Sequence, residues 1–451
     1  MKLYFADSVQ KLCTLPLYER VQVMKFVVLK KSHLKKNIII GIVAVAVISA
    51  VVLNFTRARY RVTQSIPLVN GTINYTPYDL NIIAITIDGA ESNTLPEGNY
   101  ELLDSSYCTI DGEDANLTLT WDTKTQALSI TPFTTKGTKC YLDFAKIVSV
   151  SDTLLANYPT QLTRTDFSTT VTNTTTGTIY YADTSKGRTY YFAGNPTDNW
   201  VQFGGFYWRI IRINEAGTIR MIYQGTSANT TGSNTQIQTS AFNSTNNNNM
   251  YVGYMYQSNQ VHGLTSSSTI KGILDQWYQN NLISVSDKID GNAGFCGDRQ
   301  PSTRSSTSNG SGGTGTTVTY YGAYIRVYRN NEVPTFKCTN DSDLYTTSES
   351  TNGNKALQYP IGLISLDEVW YAGGNTSSNN SYYLYTGQVY WTMSPLYFGD
   401  SANVFIVNTI GDFNNEASVN ISYGVRPVIN LKADVTISSG TGTQTDPYII
   451  N

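Results

Sequence analysis

An uninterrupted apolar run at residues 37–55, NIIIGIVAVAVISAVVLNF, constrains the fold of this chain more than any other feature. Asn37, Ser49 and Asn54 are its only polar residues, and none of them is charged. About 20 apolar residues in a helix cross a bilayer core of roughly 30 Å, whereas a core helix of a soluble domain normally keeps a polar stripe. The run is apolar all round and therefore predicts a transmembrane helix over residues 37–55.

Basic residues on both sides of the run decide its predicted orientation. They are Lys25, Lys30, Lys31, Lys35 and Lys36 before it, and Arg57, Arg59 and Arg61 after it. Positive-inside counting favours a cytoplasmic N-terminus, so residues 1–36 are predicted to be a cytoplasmic leader of a single-pass plasma-membrane protein. Met24 opens a more ordinary basic leader, so the hypothesis for residues 1–23 is a mis-called start. A cleaved signal peptide is the alternative.

The composition outside the run is typical of exposed β-structure with polar loops. Only 14% of the 451 residues are charged, and tyrosine reaches 33. The formal net charge of -2 gives the chain no general attraction to nucleic acid. We therefore expect a bilayer partner through the one helix, and no nucleic-acid partner.

Four cysteines follow the predicted membrane segment, and Cys13 precedes it. An even number outside the cytoplasm favours disulfides, and regional pairing predicts Cys108–Cys140 and Cys296–Cys338, although the sequence allows three pairings. A zinc site is the alternative, but no C-x-x-C spacing occurs and His262 is the only histidine after residue 55. The sequence thus predicts neither a metal nor another cofactor.

The chain after the anchor divides into two parts. Short strand-like segments separated by turn residues predict a β-sandwich spacer at 56–147, followed by a polar linker at 148–178. A larger domain is predicted at 179–437, with a tail at 438–451. Within it, FYWRIIRINEAGTIRMIY predicts a hairpin, and STIKGILDQWYQNNLI and SLDEVWYAGG predict two capped helices.

Several motifs of the larger domain resemble a known fold. In order they are FYWRIIRIN-x-x-GTIR, Cys296-Gly297-Asp298-Arg299, IGLISLDEV, YWTMSP, SANVFIVNTIGDF and SYGVRPVINL. The last three resemble the C-type-lectin-like fold of formylglycine-generating-enzyme relatives and of proteins diversified by retroelements. The full set is similar to uncharacterised surface proteins of Gram-positive bacteria. The resemblance implies an α+β fold with a C-type-lectin-like domain.

A catalytic set is not evident in the sequence. His262 has no second histidine for a metal pair, and no G-x-S-x-G elbow or phosphate loop occurs. The oxygen-rich cluster Asn340–Asp343 is compatible with a loose calcium site, with a solvated acidic turn as the alternative. We therefore predict a ligand-binding or adhesion module rather than an enzyme, recognising a surface protein or a glycan. A surface enzyme of the same fold and a pilin-like structural component are the alternatives.

A candidate recognition surface lies between Trp391 and Gly424. Tyrosine with asparagine and serine is typical of adaptable recognition loops, although a plain polar loop is the alternative. The predicted ligand-binding residues are Tyr397, Phe398, Asp400, Ser401, Asn403, Phe405, Asn414 and Asn415. Trp391 and Arg426 are predicted to be structural, with Arg426 buried beside Asp298 or Asp367.

Overall fold

The computed structural model describes residues 80–123, 125–132, 137–171, 176–302, 312–328, 333–413 and 416–450. The chain divides into two compact units, Met1–Ala145 and Lys146–Asn451. The predicted membrane helix at 37–55 lies outside the described residues.

The described part of the first unit is built from strands. They are β1 (Leu80–Ile87), β2 (Ala90–Ser92), β3 (Tyr100–Leu102), β4 (Tyr107–Ile110), β5 (Glu113–Asp114), β6 (Thr118–Asp122), β7 (Ala127–Thr131) and β8 (Thr138–Lys146). One sheet has the order β2-β1-β8-β4-β5, with β3 also paired to β8, and β6–β7 forms a separate hairpin. Alternate residues of β8 are buried, so Leu142 and Phe144 point into a small core. This strand therefore contributes much of the core of the unit.

A predicted disulfide closes this first unit. Cys108 of β4 and Cys140 of β8 are directly opposite each other in an antiparallel pair, and they form a bridge with a Cα–Cα distance of 4.1 Å. Both side chains are buried. The bridge therefore fixes the register of two central strands, as the regional pairing predicts.

The second unit holds the remaining elements. Its strands are β9 (Thr160–Thr163), β10 (Thr178–Thr184), β11 (Gly187–Tyr191), β12 (Trp200–Phe203), β13 (Phe206–Ile213), β14 (Ile219–Gly225), β15 (Gln238–Ser240), β16 (Met255–Tyr256), β17 (Ser266–Ser267), β18 (Phe295–Cys296), β19 (Thr319–Tyr320), β20 (Leu344–Tyr345), β21 (Tyr390–Phe398), β22 (Ala402–Val407), β23 (Glu416–Ser418), β24 (Tyr423–Val425), β25 (Val428–Leu431) and β26 (Tyr448–Ile449). Its α-helices are α1 (Val150–Asn157), α2 (Thr269–Asn281), α3 (Gly322–Tyr328) and α4 (Leu366–Ala372). Short 3₁₀ turns lie at Gly232–Thr235, Asn249–Val252, Ile283–Lys288 and Asp341–Asp343.

Two sheets form the framework of the second unit. The larger has the order β25-β14-β13-β11-β10-β9, with β12 joining β13 to β26. The smaller has the order β15-β24-β21-β22-β23, with β19 added beside β21. Strands β14 and β22 are buried along their whole length and β21 nearly so. Burial of nearly every position, rather than of alternate ones, is typical of strands covered on both faces.

The predicted hairpin and both predicted helices are present. FYWRIIRI and IRMIYQG are the antiparallel pair β13–β14. Helix α2 buries Ile270, Leu274 and Tyr278 on one face, and its N-cap Ser268 accepts a hydrogen bond from the Lys271 N–H. Helix α4 begins with a Ser365–Glu368 capping box and ends at Gly373, whose φ of +116° favours glycine.

The predicted α+β class is wrong, because strands take 35% and helices only 15% of the described residues. The two sheets are rich in Tyr, Val, Ile and Thr, which are residue types that favour strands. The predicted linker, 148–178, contains α1 and β9, and β9 pairs in parallel with β10. The predicted tail contains β26, which pairs with β12.

The membrane prediction is corrected as well. In the part of the chain that the structure describes, no helix combines the length and the apolar character that a bilayer crossing requires. This finding does not support the transmembrane element of the predicted architecture or the predicted plasma-membrane location. The bilayer partner stays a prediction.

Candidate functional site

The structure distributes the predicted recognition residues between the surface and the core. Most of the stretch from Trp391 to Gly424 belongs to strands β21–β24 of the smaller sheet rather than to a loop. Tyr397 is half-buried, Asp400 is exposed and Ser401 is half-buried at the turn after β21. Phe398, Asn403 and Phe405 are buried, and Asn414 and Asn415 lie outside the described residues. Of the predicted aromatic residues, only Tyr397 reaches solvent.

Tyr397 belongs to a larger aromatic surface, which we call the tyrosine stripe: Tyr320, Tyr324, Tyr328 and Tyr397. All four rings are half-buried. The Tyr320 ring is 4.6 Å from that of Tyr324, which is 4.9 Å from that of Tyr328. Tyr320 also stacks on Tyr397, with centroids 5.8 Å apart and planes inclined by 18°. The four rings therefore form one continuous surface.

Three elements bring these tyrosines together. Strand β19 pairs with β21 so that Tyr320 is directly opposite Tyr397. Helix α3 then places Tyr324 and Tyr328 four residues apart, which is the spacing that puts side chains on one helix face. Tyr328 stacks on Phe405, a fully buried residue of β22, with centroids 6.3 Å apart. The stripe therefore packs on the hydrophobic core through Tyr328.

A surface of this kind is suited to recognition. Tyrosine offers a large rigid contact area at low conformational entropy cost, and each ring has an apolar body and a polar tip. Such residues contribute a large share of the binding energy in many interfaces. Val318, 56% exposed, immediately precedes β19 and adds an apolar side chain near the stripe.

A second feature, the charged cleft, consists of Arg212, Arg220, Arg326, Asp298, Asp367 and Glu368. It borders a cavity of about 140 Å³. Arg220 Nε lies 2.5 Å and Arg212 Nε 3.2 Å from Glu368 Oε1. Arg326 holds two carboxylates at 2.6 Å, those of Asp298 and Asp367. The cavity is smaller than the 300–1,000 Å³ of typical ligand pockets, and its charges already neutralise one another.

The cleft carboxylates differ in how easily they bind protons. Burial raises the pKa of Glu368, but the Arg220 and Arg212 guanidiniums outweigh that effect and hold this pKa below its ordinary value. For Asp298, burial raises the pKa, and the attraction of Arg326 does not fully offset it. Burial alone would lower the pKa of Arg326, yet its two carboxylate partners raise it. Arg326 therefore stays charged, and its ion pair with Asp367 links α3 to the start of α4.

Arg426 is fully buried, as predicted, but its partners are not the predicted carboxylates. Its guanidinium donates to the carbonyl oxygens of Tyr223 and Leu384 and to Oε1 of Gln224, and it lies 4.8 Å from the Tyr390 ring. Asp298 and Asp367 are bound by Arg326 instead. Trp391 is also fully buried, and its Nε1 donates to the Ser240 carbonyl over 2.8 Å.

The second predicted disulfide, Cys296–Cys338, is present at the edge of the charged cleft. It joins β18 to the segment that carries Thr335 and Thr339. The Thr335 N–H donates to Asp367, and the Thr339 hydroxyl donates to Asp298. Both cysteines are half-buried, unlike the buried pair of the first unit. Two disulfides are consistent with an extracellular protein.

His262 and the predicted calcium turn belong to one ion-pair network. His262 Nδ1 lies 3.0 Å from Asp343 Oδ1, and Arg299 Nε lies 2.8 Å from the same oxygen. Burial raises the pKa of Asp343, but the His262 bond and the Arg299 charge outweigh it and lower that pKa. Asn340 accepts from the Ser342 N–H. Among the described residues, no group of three or more His, Cys, Asp or Glu side chains could hold a metal ion.

Sequence reasoning missed three members of the tyrosine stripe and the ion pairs of Arg326. The signal for the stripe was present in YYGAYIRVY, where Tyr320, Tyr324 and Tyr328 recur at intervals of four. This segment follows a Ser- and Gly-rich stretch, and its helix has only seven residues, so its periodicity is short. The pairing of Tyr320 with Tyr397 depends on a long-range strand contact that spacing cannot reveal.

One part of the second unit matches a known protein family. Residues 343–433 match a domain of unknown function (DUF6273). This stretch contains α4 and strands β21 to β25, and it includes Tyr397 of the stripe. No curated protein matches the chain. No solved structure matches it. The resemblance to lectin-like or formylglycine-generating-enzyme-like domains thus receives no support from these comparisons.

Proposed function

We propose that this chain is an extracellular ligand-binding protein and that the tyrosine stripe is its recognition surface. The observation that carries the proposal is a continuous set of four half-buried tyrosine rings, one of which stacks on the buried Phe405. A contiguous aromatic surface that reaches solvent commonly marks a binding site. The ligand is a surface polypeptide or a glycan, and an adhesive role follows if that ligand is on another cell.

Binding without catalysis fits the remaining polar groups better than a surface enzyme does. Cys108, Cys140, Cys296 and Cys338 are oxidised in pairs, so none of them is a thiol nucleophile. The carboxylates of the charged cleft face guanidiniums at 2.5–3.2 Å, which favours a structural role over proton transfer. His262 is bound to Asp343 and contacts Asn340.

An array experiment tests the proposal. The purified full chain is applied to printed glycans and to immobilised extracellular polypeptides, and each signal is compared with that of Tyr320→Ala. Truncating an anchor tyrosine of an interface often costs about 2 kcal/mol or more, so we expect the variant to lose at least about tenfold in affinity. Tyr320 is suited to this test because its stacking partners are other rings of the stripe.

The matched control is Tyr181→Ala. Tyr181 is half-buried on β10, in the other sheet of the same unit, and packs against Tyr190 and Arg188. Its loss should leave the array signals unchanged. Equal signals for the wild type and the stripe variant on every bound ligand would refute the assignment of this surface. Phe398→Ala is not a suitable probe, because that ring is buried and its removal would act on stability.

A further inference from the structure

A groove of about 610 Å³ opens elsewhere on the second unit, and none of the stripe tyrosines lines it. We call it the Tyr359 groove. Its lining comes from α2, the Ile283–Lys288 turn, the turns at 290–292 and 347–351, and residues 358–360. Its volume falls in the range of ordinary ligand sites, in contrast to the charged cleft.

One aromatic side chain of the lining has a rigid support. Tyr359 lies against Tyr278 of α2, with centroids 5.1 Å apart and planes inclined by 24°. Tyr278 is fully buried, so the half-buried Tyr359 ring has a fixed support. The Gln358 amide donates to the Tyr359 hydroxyl over 3.2 Å. Pro360, also half-buried, adds an apolar side chain to the lining.

The polar part of the lining, which we call the rim, is preorganised. Asp290 Oδ1 accepts from the backbone N–H groups of Asn292 and Ala293, at 2.9 and 2.6 Å. The buried Ser350 hydroxyl donates to Asn292 Oδ1 over 2.5 Å, and this bond ties the turns at 290–292 and 347–351 together. Glu349 is exposed beside them. The rim therefore offers carboxylate and amide groups whose positions are set before a ligand arrives.

We propose that the Tyr359 groove is a saccharide-binding site that takes a short segment of a neutral or amino-sugar chain. A pyranose ring has a face of C–H groups, which packs on the electron-rich face of an aromatic ring. Its hydroxyls lie around the ring edge, where carboxylates accept charge-assisted hydrogen bonds and amides both donate and accept. An aromatic ring and polar groups in one groove match both parts of that ligand.

The charges of the rim narrow the ligand class. The carboxylates of Asp287, Asp290 and Glu349 line the groove, together with the ammonium of Lys432. The Lys432 Nζ donates to the Asp287 carbonyl oxygen, and Lys288 Nζ lies 3.7 Å from the Asp287 carboxylate. Phosphorylated, sulfated and uronic-acid chains would meet more carboxylates than ammoniums and bind more weakly than uncharged ones. A purely apolar ligand would displace water from the rim carboxylates without replacing its hydrogen bonds.

Calorimetric titration of the purified full chain with defined tetrasaccharides tests this inference. The probes are the β-1,4-linked tetramers of glucose, N-acetylglucosamine, glucosamine and mannose. We expect saturable binding of at least one tetramer with a Kd of roughly 0.1–1 mM. Tyr359→Ala should weaken it at least about tenfold, and Glu349→Gln about threefold to tenfold. EDTA should have no effect, because the carboxylates contact the sugar directly.

Two controls accompany the titration. Tyr181→Ala, outside both the groove and the tyrosine stripe, should bind the tetrasaccharide like wild type. The array signals of Tyr320→Ala test the stripe separately, so failure of one site does not imply failure of the other. Glu349→Gln guards against a folding artefact, because Glu349 is exposed and its amide replacement keeps the shape. Absence of binding by all four tetramers at about 10 mM would overturn the proposal. So would binding that EDTA abolishes or that Tyr359→Ala leaves intact.

Discussion

Replacing Arg426 tests whether its buried guanidinium acts through hydrogen bonds or only through its volume. The guanidinium donates to Tyr223 O, Leu384 O and Gln224 Oε1 at 2.9–3.1 Å. Hydrogen bonds to a charged group contribute about 1.5–3 kcal/mol each. Burial lowers the pKa of Arg426, so its charge carries a desolvation cost that offsets part of this gain. For Arg426→Ala, which also leaves a cavity, we expect a loss of about 3–5 kcal/mol in unfolding free energy.

Arg426→Met is the matched comparison, because it keeps most of the side-chain length and removes both the charge and the donors. We expect it to cost about 1–3 kcal/mol, since the apolar chain fills the space and no charge is left to desolvate. The assay is urea unfolding followed by tryptophan fluorescence; five of the six tryptophans lie after residue 145. Wild-type stability of Arg426→Ala would refute the burial of this residue. Wild-type stability of Arg426→Met would refute the hydrogen-bond account, because that variant fills most of the volume and lacks the donors.

Two further predictions concern the charged cleft and its disulfide. The depressed pKa of Glu368 stabilises the fold above its ordinary value of 4.5, and this contribution is lost as pH falls through the lower folded pKa. Glu368→Gln should therefore be less stable than wild type near about pH 7, with the gap narrowing in urea titrations below about pH 4; a gap independent of pH would contradict this. Graded thiol reductant should open the half-buried Cys296–Cys338 bridge before the buried bridge of the first unit. Alkylation with peptide mass mapping measures the order, and simultaneous or reversed opening would contradict it.

Local signals predicted local structure well. The capping box at Ser365, the apolar face of α2 and the β13–β14 hairpin each depend on residues within one element or one turn, and all three are present. Both disulfides followed from regional pairing. The fold class did not follow, because a few clear helical segments do not reveal how much of the remaining chain pairs into sheets.

In the candidate site too, features set by nearby residues were predictable from the sequence, and features set by long-range contacts were not. Composition predicts a surface position for Tyr397, Phe398 and Phe405 alike, but only Tyr397 reaches solvent, because the sheet buries the two phenylalanines. Strand β21 is covered on both faces, so alternation along its sequence does not separate inside from outside. The partners of Arg426 were missed for a related reason. Two backbone carbonyls and the Gln224 side-chain oxygen accept the hydrogen bonds of its guanidinium. No sequence pattern indicates which distant backbone atoms will lie near an arginine.

Ligand affinity of the stripe variants tests the central claim most directly. Once an array identifies a ligand, its Kd is measured for wild type, Tyr320→Ala, Tyr397→Ala and the double variant. The two rings stack on each other, so their contributions should be coupled rather than additive. We predict at least about tenfold weaker binding for each single variant, and a double variant weakened by less than the product of the two single effects. Wild-type affinity in all three variants, with folding intact by circular dichroism, would contradict the proposal that the stripe is the binding surface.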